Sequence, residues 1–332
     1  MKKISKKGMN EFIQSLMADY AVFAPVNIDG IFSFRPICNF QQIDRDYQNS
    51  KKPPKEVFFP QSETMFEYKN GKVESTEKVT RKRLLLGIRP CDARANLLLD
   101  HVFGGQAYKD LYYTNKRDNS IIMGLGCSQP LSSCFCTSFG GGPFSTAGLD
   151  VLLIDIGDRY VAQVVTDKAR QVLTGKFAEA TRQEVELAEK IKSEAEKRIK
   201  SRVEMEGIKD KLDEIFDNPF WNRLSEKCIG CGVCTYLCPT CHCFDIADEV
   251  VDSEGKRVRN WDSCMFPLFT LQTSGHNPRP TGKERMRQRI MHKFDYFVEN
   301  YEEPACVGCG RCIMNCPVNV DIRNALQEIL KT

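Results

Sequence analysis

The sequence predicts a mixed α+β or α/β protein in three parts. These are an α/β domain over residues 1–175, an amphipathic helical linker over 176–220 and a small cysteine-rich domain over 221–332. Three observations lead to this division: apolar strand-like segments alternate with a helical segment, a charged helical pattern follows, and two similar cysteine runs end the chain. With 332 residues, the chain is long enough for two domains that each bury a core.

The first domain contains apolar segments of strand length. RLLLGIRP at 83–90 and SIIMGLGC at 120–127 are typical of buried strands, and LDVLLIDIGDRYVAQVV at 149–165 indicates a strand, a Gly-Asp turn and a second strand. Between the first two lies CDARANLLLDHVFG at 91–104, which favours a helix with an acid in its first turn and a glycine at its end. This strand–helix–strand order predicts an α/β domain.

The second part has the period of an amphipathic helix. Charged residues separate apolar ones that recur at spacings near four, with an interruption at Gly207; the apolar positions are Ile191, Ala195, Ile199, Val203, Ile208, Leu212 and Ile215. We expect this segment to pack on one face and to link the two halves, with its charges in solvent.

Composition excludes several classes of protein. A net charge of +3 with mixed signs does not indicate nucleic-acid binding, and no apolar run reaches the roughly 18 residues of a membrane span. The basic N-terminus has no apolar signal-peptide core, so we expect a cytoplasmic protein. Because disulfides are rare in the cytosol, the 16 cysteines favour metal binding.

The last domain contains the bacterial ferredoxin cysteine pattern twice. Its runs are Cys228-x2-Cys231-x2-Cys234-x3-Cys238-Pro239 and Cys306-x2-Cys309-x2-Cys312-x3-Cys316-Pro317, separated by a long insert. In this pattern the first three cysteines bind one 4Fe–4S cluster and the fourth binds the other. The spacing therefore predicts one cluster on Cys228, Cys231, Cys234 and Cys316, and a second on Cys306, Cys309, Cys312 and Cys238. The alternative is a pair of structural zinc sites, which fits poorly because zinc ligands typically come as separated pairs.

Seven further cysteines suggest a third cluster. Cys91 follows the first predicted strand, Cys127 ends the second, and Cys134 and Cys136 come shortly after. If the two strands are parallel neighbours, these thiols meet at one edge of the sheet, where functional groups gather. The alternative is that they are small buried apolar residues.

A competing arrangement combines Cys241, Cys243 and Cys264 with a fourth ligand from the N-terminal set, and sequence does not decide between the two. Cys38 has no partner in the sequence, and we interpret it as structural.

Several segments together resemble one family. GIRPCDARA, CFCTSFGGGPF, GLDVLLIDIGDRY, the paired runs with their CPTCHC extension, and WDSC are similar to the β subunits of soluble sulfhydrogenases and the A subunit of anaerobic sulfite reductase. The resemblance extends from about Arg83 to the end. It implies an iron–sulfur electron-transfer subunit between a flavin-containing NAD(P)H subunit and a catalytic subunit that carries a nickel–iron site or sirohaem.

Three functions remain open from the sequence. The first is an electron-transfer subunit of a heteromeric oxidoreductase, itself non-catalytic; the second is a self-contained ferredoxin-like carrier. The third is an enzyme that uses an N-terminal cysteine-bound cluster for sulfur or thiol chemistry. The basic stretch 279–293 is interpreted as a solvated helix face or as a docking surface for an acidic partner; its cations are Lys283, Arg285, Arg287, Arg289 and Lys293.

Overall fold

A computed structural model of the chain describes residues 1–76, 81–105, 107–173 and 175–332. Its strands are β1 (Lys2–Ser5), β2 (Tyr20–Ile28), β3 (Ile31–Pro36), β4 (Ser62–Lys69), β5 (Lys72–Ser75), β6 (Lys82–Ile88), β7 (Ser120–Leu125), β8 (Val151–Asp155), β9 (Arg159–Val164), β10 (Ala178–Glu179), β11 (Phe244–Val251) and β12 (Glu254–Trp261).

The α-helices are α1 (Lys6–Leu16), α2 (Pro90–Phe103), α3 (Leu111–Asp118), α4 (Asp167–Val172), α5 (Arg182–Arg198), α6 (Ile208–Glu214), α7 (Phe220–Ser225), α8 (Val233–Tyr236), α9 (Gly282–Met291), α10 (Phe297–Tyr301), α11 (Arg311–Met314) and α12 (Ile322–Ile329). Short 3₁₀ turns occupy Phe40–Gln42, Pro54–Val57 and Cys136–Phe139, and a π-helical turn at His292–Tyr296 joins α9 to α10.

The main sheet has eight strands in the order β10-β1-β9-β8-β7-β6-β2-β3. Its centre is parallel, since β2 pairs with β6, β6 with β7 and β7 with β8 in parallel register. Successive residues of β6 face opposite cores: Leu84 and Leu86 join one, and Leu85 joins the other. The predicted strands and the α2 helix between them are confirmed, and the sheet is the mixed α/β architecture that the sequence indicates.

A second sheet has four strands in the order β11-β12-β4-β5. The β11–β12 hairpin comes from the insert between the two cysteine runs, and its β12 strand pairs antiparallel with β4 from the first 80 residues. The Trp261 indole N–H at the end of β12 donates to the Phe59 carbonyl at 3.1 Å. Residues from both ends of the chain therefore build one sheet, which local sequence patterns do not reveal.

The charged helical stretch is divided differently from the prediction. Helix α5 ends at Arg198, and the next helix begins only after Gly207, whose left-handed φ of 75° places it at the start of α6. Ala188 of α5 packs in a core of the main sheet, while Val203, Ile208 and Leu212 pack among the C-terminal helices. The segment thus contributes to two cores. No helix in the described part of the chain is long and apolar enough to cross a membrane.

Candidate metal centres

The first predicted cysteine group lines one cavity. Cys228, Cys231, Cys234 and Cys316 surround it, although Cys316 belongs to the other ferredoxin run. The Val320 backbone N–H donates to the Cys316 sulfur at 3.2 Å, the type of contact that supports a metal-bound thiolate. The structure therefore brings together the four thiols that the spacing assigns to one cluster.

The second predicted group is Cys306, Cys309 and Cys312 with Cys238. Burial is the main cause of the raised pKa of the first three thiols, to about 12 for Cys306, and the Cys238 sulfur contributes to the rise at each. Cys238 thus lies beside the other run, as the exchange of fourth ligands requires. A thiol with so high a pKa stays protonated at neutral pH unless a metal replaces its proton.

The N-terminal cysteines form a third group. Cys91 lies at the start of α2, directly after β6, and Cys127 lies just beyond β7, the parallel neighbour of β6. All four thiols, Cys91, Cys127, Cys134 and Cys136, line one cavity. Burial is the main cause that raises the pKa of each, to about 12 for Cys134 and Cys136. The condition set by the sequence, two adjacent parallel strands, is met.

This third group touches the second. Gly308 and Cys309 line the same cavity as the N-terminal thiols, and the Phe135 N–H donates to the Gly308 carbonyl at 2.9 Å. A Cβ atom on Gly308 would lie 2.5 Å from the Phe135 backbone, and one on Gly310 would lie 2.4 Å from the Ser133 hydroxyl. Both residues have positive φ, so glycine is needed for conformation and for close approach.

The remaining cysteines are separate from that cavity. Cys241 and Cys243 precede β11, and Cys264 follows β12; the Asp262 N–H donates to the Cys243 carbonyl at 3.0 Å and extends the hairpin ladder. A hydrogen bond with the Cys264 thiol lowers the pKa of Cys243 to about 6. Cys38, in contrast, is exposed. The seven additional thiols thus fall into a set of four and a set of three.

Three buried cations face the cysteine groups. Lys55, Arg289 and Lys293 are each 5% exposed or less. The Lys293 ammonium lies 3.4 Å from the Cys238 sulfur and 3.0 Å from the Thr240 hydroxyl. Burial opposes the charge of all three and lowers the pKa of Lys55 to about 8, whereas neighbouring cysteine sulfurs favour the charge and hold the pKa of Arg289 and Lys293 above its ordinary value. A buried cation needs a counter-charge, and deprotonated, metal-bound thiols supply one.

Another buried cation ties two groups together through a carboxylate. Arg311 lies between Cys309 and Cys312 in sequence, and its guanidinium binds both oxygens of Asp92 at 2.6 and 2.7 Å. Asp92 follows Cys91, so this bidentate pair joins the second group to the third. Arg311 also donates to the Ser50 carbonyl at 2.8 Å, and it is 2% exposed.

The arrangement of thiols fits a cluster better than a single ion. Across residues 1–76, 81–105, 107–173 and 175–332, no three His, Cys, Asp or Glu side chains converge closely enough to hold one metal ion. In a 4Fe–4S cubane each thiolate binds a different iron, so its ligands surround a volume instead of meeting at a point. The first and third groups surround cavities in this way.

The basic stretch 279–293 is not the solvated face that we expected. Arg289 and Lys293 are buried beside the cysteines, and Lys283, Arg285 and Arg287 are only partly exposed. The Arg287 guanidinium stacks 3.8 Å from the Phe216 ring. Four site residues could not be recognised from the sequence, because Lys and Arg side chains normally lie on the protein surface. They are Lys55, Arg289, Lys293 and Arg311.

A comparison with protein families defines the class. A family described as a 4Fe–4S dicluster domain matches residues 227–320, which include both ferredoxin runs. The chain therefore contains a dicluster iron–sulfur domain. No solved structure matches it.

A curated relative defines the family. The chain is 31% identical to sulfhydrogenase 2 subunit beta from Pyrococcus furiosus, over 98% of this chain and 97% of the relative. The chain belongs to the family of sulfhydrogenase β subunits, and the resemblance found in the sequence is confirmed.

Proposed function

We propose that the protein is the iron–sulfur electron-transfer subunit of a cytoplasmic heteromeric oxidoreductase. Its partners are a flavin- and NAD(P)H-binding subunit, or a ferredoxin, and a metal-containing catalytic subunit of the hydrogenase or sulfite/sulfur reductase type. The relative is by name one subunit of a sulfhydrogenase, which supports a role inside a complex. The observation that carries the proposal is that the second cysteine group contacts both the first and the third.

The two ferredoxin-type groups would hold 4Fe–4S clusters, which accept and release electrons one at a time. Cys228, Cys231, Cys234 and Cys316 would bind the first cluster, and Cys306, Cys309, Cys312 and Cys238 the second. Cys91, Cys127, Cys134 and Cys136 would bind a third. Four protein thiols leave no iron of that third site open to a substrate, which favours electron transfer over catalysis there.

Two cysteines of the second group connect the three sites, because each lies at the boundary with a neighbouring site. Cys312 of the second group also lines the cavity of the first, and Cys309 also lines the cavity of the third. Each neighbouring pair of sites is thus in contact through one cysteine. The second group occupies the central position of the relay, so an electron that moves between the other two passes it.

The buried cations tune the sites. Lys293 and Arg289 place positive charge beside the thiolates of the first and second groups, in an interior where charge is poorly screened. Positive charge stabilises the more negative, reduced state of a site, so these residues raise its reduction potential. Burial also excludes water, which keeps the potentials distinct from those of exposed sites.

Substitution of one ligand per site tests the relay. In the natively purified anaerobic complex, we expect Cys231→Ala or Cys309→Ala to abolish electron flow between donor and acceptor subunits, while each partner keeps its half-reaction with artificial dyes. Cys38→Ala is the matched control and should retain full flux. Unchanged flux in the Cys309 variant, with the complex intact, would contradict the proposal. Purification of the chain alone, without partner subunits, would favour a self-contained carrier.

A further inference from the structure

Three cysteines, Cys241, Cys243 and Cys264, have no role in the relay just described. The β11–β12 hairpin positions them, because Cys243 pairs with Asp262 at the open end of the hairpin and Cys264 follows two residues later. Cys264 is 7% exposed and packs in an apolar cluster with Met265 and Met286. Cys243 packs against the same cluster, beside Cys228 and Cys234 of the first group. Cys243 and Cys264 therefore share one buried site, and Cys241 lies two residues before Cys243.

Positive charge from the opposite half of the chain faces this site. Lys55, 3% exposed, donates its ammonium to the Cys241 carbonyl at 2.5 Å, and it lies 4.2 Å from the centre of the Trp261 ring. Among the neighbouring cysteine sulfurs, that of Cys241 does most to raise the pKa of Lys55, against the larger lowering effect of burial. The buried Arg289 Nε has no hydrogen-bond partner among the described residues.

The thiols of this set are also distinct from the second group. A hydrogen bond with Cys238 is the main cause that raises the pKa of Cys241, but the Cys238 sulfur also raises the pKa of Cys306, Cys309 and Cys312. The pKa of Cys264 is instead raised by a hydrogen bond with Cys243, by burial, and by the charges of Cys243 and Cys241. The His242 side chain, between the two cysteines, packs against Phe103, His292 and Phe297. The cysteine ligands that this site offers are Cys241, Cys243 and Cys264.

We propose that Cys241, Cys243 and Cys264 hold a fourth iron–sulfur cluster, bound by three cysteine thiolates with a non-cysteine ligand on the remaining iron. The inference rests on the proposed function, since it adds a site to the same relay. Contact between Cys241 and Cys238 connects the new site to the central, second group. The relay then branches at that group instead of running in a single line.

Cysteine substitution in the full complex tests the site. Cys243→Ser and Cys264→Ser should each remove about a quarter of the iron and acid-labile sulfide per chain, since one of four clusters is lost. Cys38→Ser is the matched control and should lose none. Electron paramagnetic resonance of the oxidised wild-type protein should show a three-iron signal, because the iron without a thiolate is lost most easily. That signal should vanish in both variants and persist in the control.

A second variant keeps every cysteine. Lys55→Met should leave the iron content unchanged and lower the reduction potential most at the cluster of Cys241 and Cys243, with a smaller decrease at the cluster of Cys238. Redox titration followed by the same spectroscopy resolves the two. Wild-type iron and spectra in both serine variants would overturn the inference, as would one zinc ion per chain that disappears in Cys264→Ser. Wild-type protein without any iron–sulfur signal would instead overturn the proposed function itself.

Discussion

Two regions of the molecule bury positive charge in different ways. In the second sheet, Arg259 is 2% exposed and forms ion pairs with the carboxylates of Glu63, at 2.7 Å, and Asp110. Around the cysteine groups, Lys55, Arg289 and Lys293 are buried to a similar extent but face thiols. A carboxylate is charged at neutral pH whether or not metal is bound. Burial instead raises the pKa of most of these thiols, although hydrogen bonds with Cys241 and Cys264 lower that of Cys238 and Cys243.

The two regions would therefore depend on bound cofactors to different extents. The second sheet carries its own counter-charges and should be stable in the metal-free chain. Most sulfurs of the cysteine groups would need bound metal to be anionic, so metal binding there would contribute directly to folding. Four predictions test this difference, from the largest expected effect to the smallest.

Removal of iron should have the largest effect. A buried cation that loses its counter-charge costs about 3–5 kcal/mol, and most of the sulfur charge around Lys55, Arg289 and Lys293 would be lost together. We therefore expect the metal-free chain to unfold at a much lower temperature than the loaded chain, as measured by circular dichroism under anaerobic conditions. Hydrogen exchange should locate the loss around α9 and the cysteine loops, with β12 still protected. Equal unfolding temperatures would contradict the prediction.

The next effect separates Arg311 from Lys293. Arg311→Met leaves Asp92 buried without a partner and should cost about 3–5 kcal/mol in both loaded and metal-free protein. Lys293→Met should destabilise the loaded protein by about 3–5 kcal/mol and the metal-free one by less, because only the Cys238 sulfur, whose pKa is lowered by Cys241 and by Lys293, then faces the ammonium. Denaturant titration of the four samples gives the free energies of unfolding. An equal effect of Lys293→Met in both states would show that its counter-charge does not depend on metal-bound sulfur.

His292 should make the metal-free chain acid-sensitive. Burial, followed by the nearby charges of Lys293 and Arg279, lowers its pKa from 6.5 to about 4. In the unfolded state His292 binds a proton below pH 6.5, whereas in the folded state it binds one only below about pH 4. Stability should therefore fall by up to about 3 kcal/mol across that window and change no further below it. His292→Gln should lack this loss in denaturant titrations; an identical pH profile in the variant would exclude His292 as the cause.

The smallest effect concerns an exposed ion pair on the same strand as Arg259. Arg257 binds the Asp248 carboxylate at 2.7 Å, but solvent screens both side chains. Arg257→Ala should change the free energy of unfolding by about 0–1 kcal/mol, whereas Arg259→Met should cost about 3–5 kcal/mol. A comparable loss in both variants would mean that burial is not what distinguishes the two arginines.

Much of the fold and of the site follows from local patterns. The apolar runs predicted β6, β7, β8 and β9, and the glycine and acid positions predicted α2, because strand and helix periods are visible within a few residues. The second sheet could not be predicted, since its β4 and β12 strands lie nearly 200 residues apart. The helical stretch was predicted too long because its apolar period continues through 199–207, where those side chains enter a different core.

Cysteine spacing was enough to predict the two ferredoxin groups and their exchanged fourth ligands, since a run of four thiols with a following proline specifies cluster geometry locally. Only the tertiary structure decided how the other seven thiols divide and where their counter-charges come from. Lys55 reaches Cys241 across 186 residues of sequence, and Arg311 reaches Asp92 across 219. Burial and charge compensation are properties of packed segments, and no spacing rule along one segment contains them.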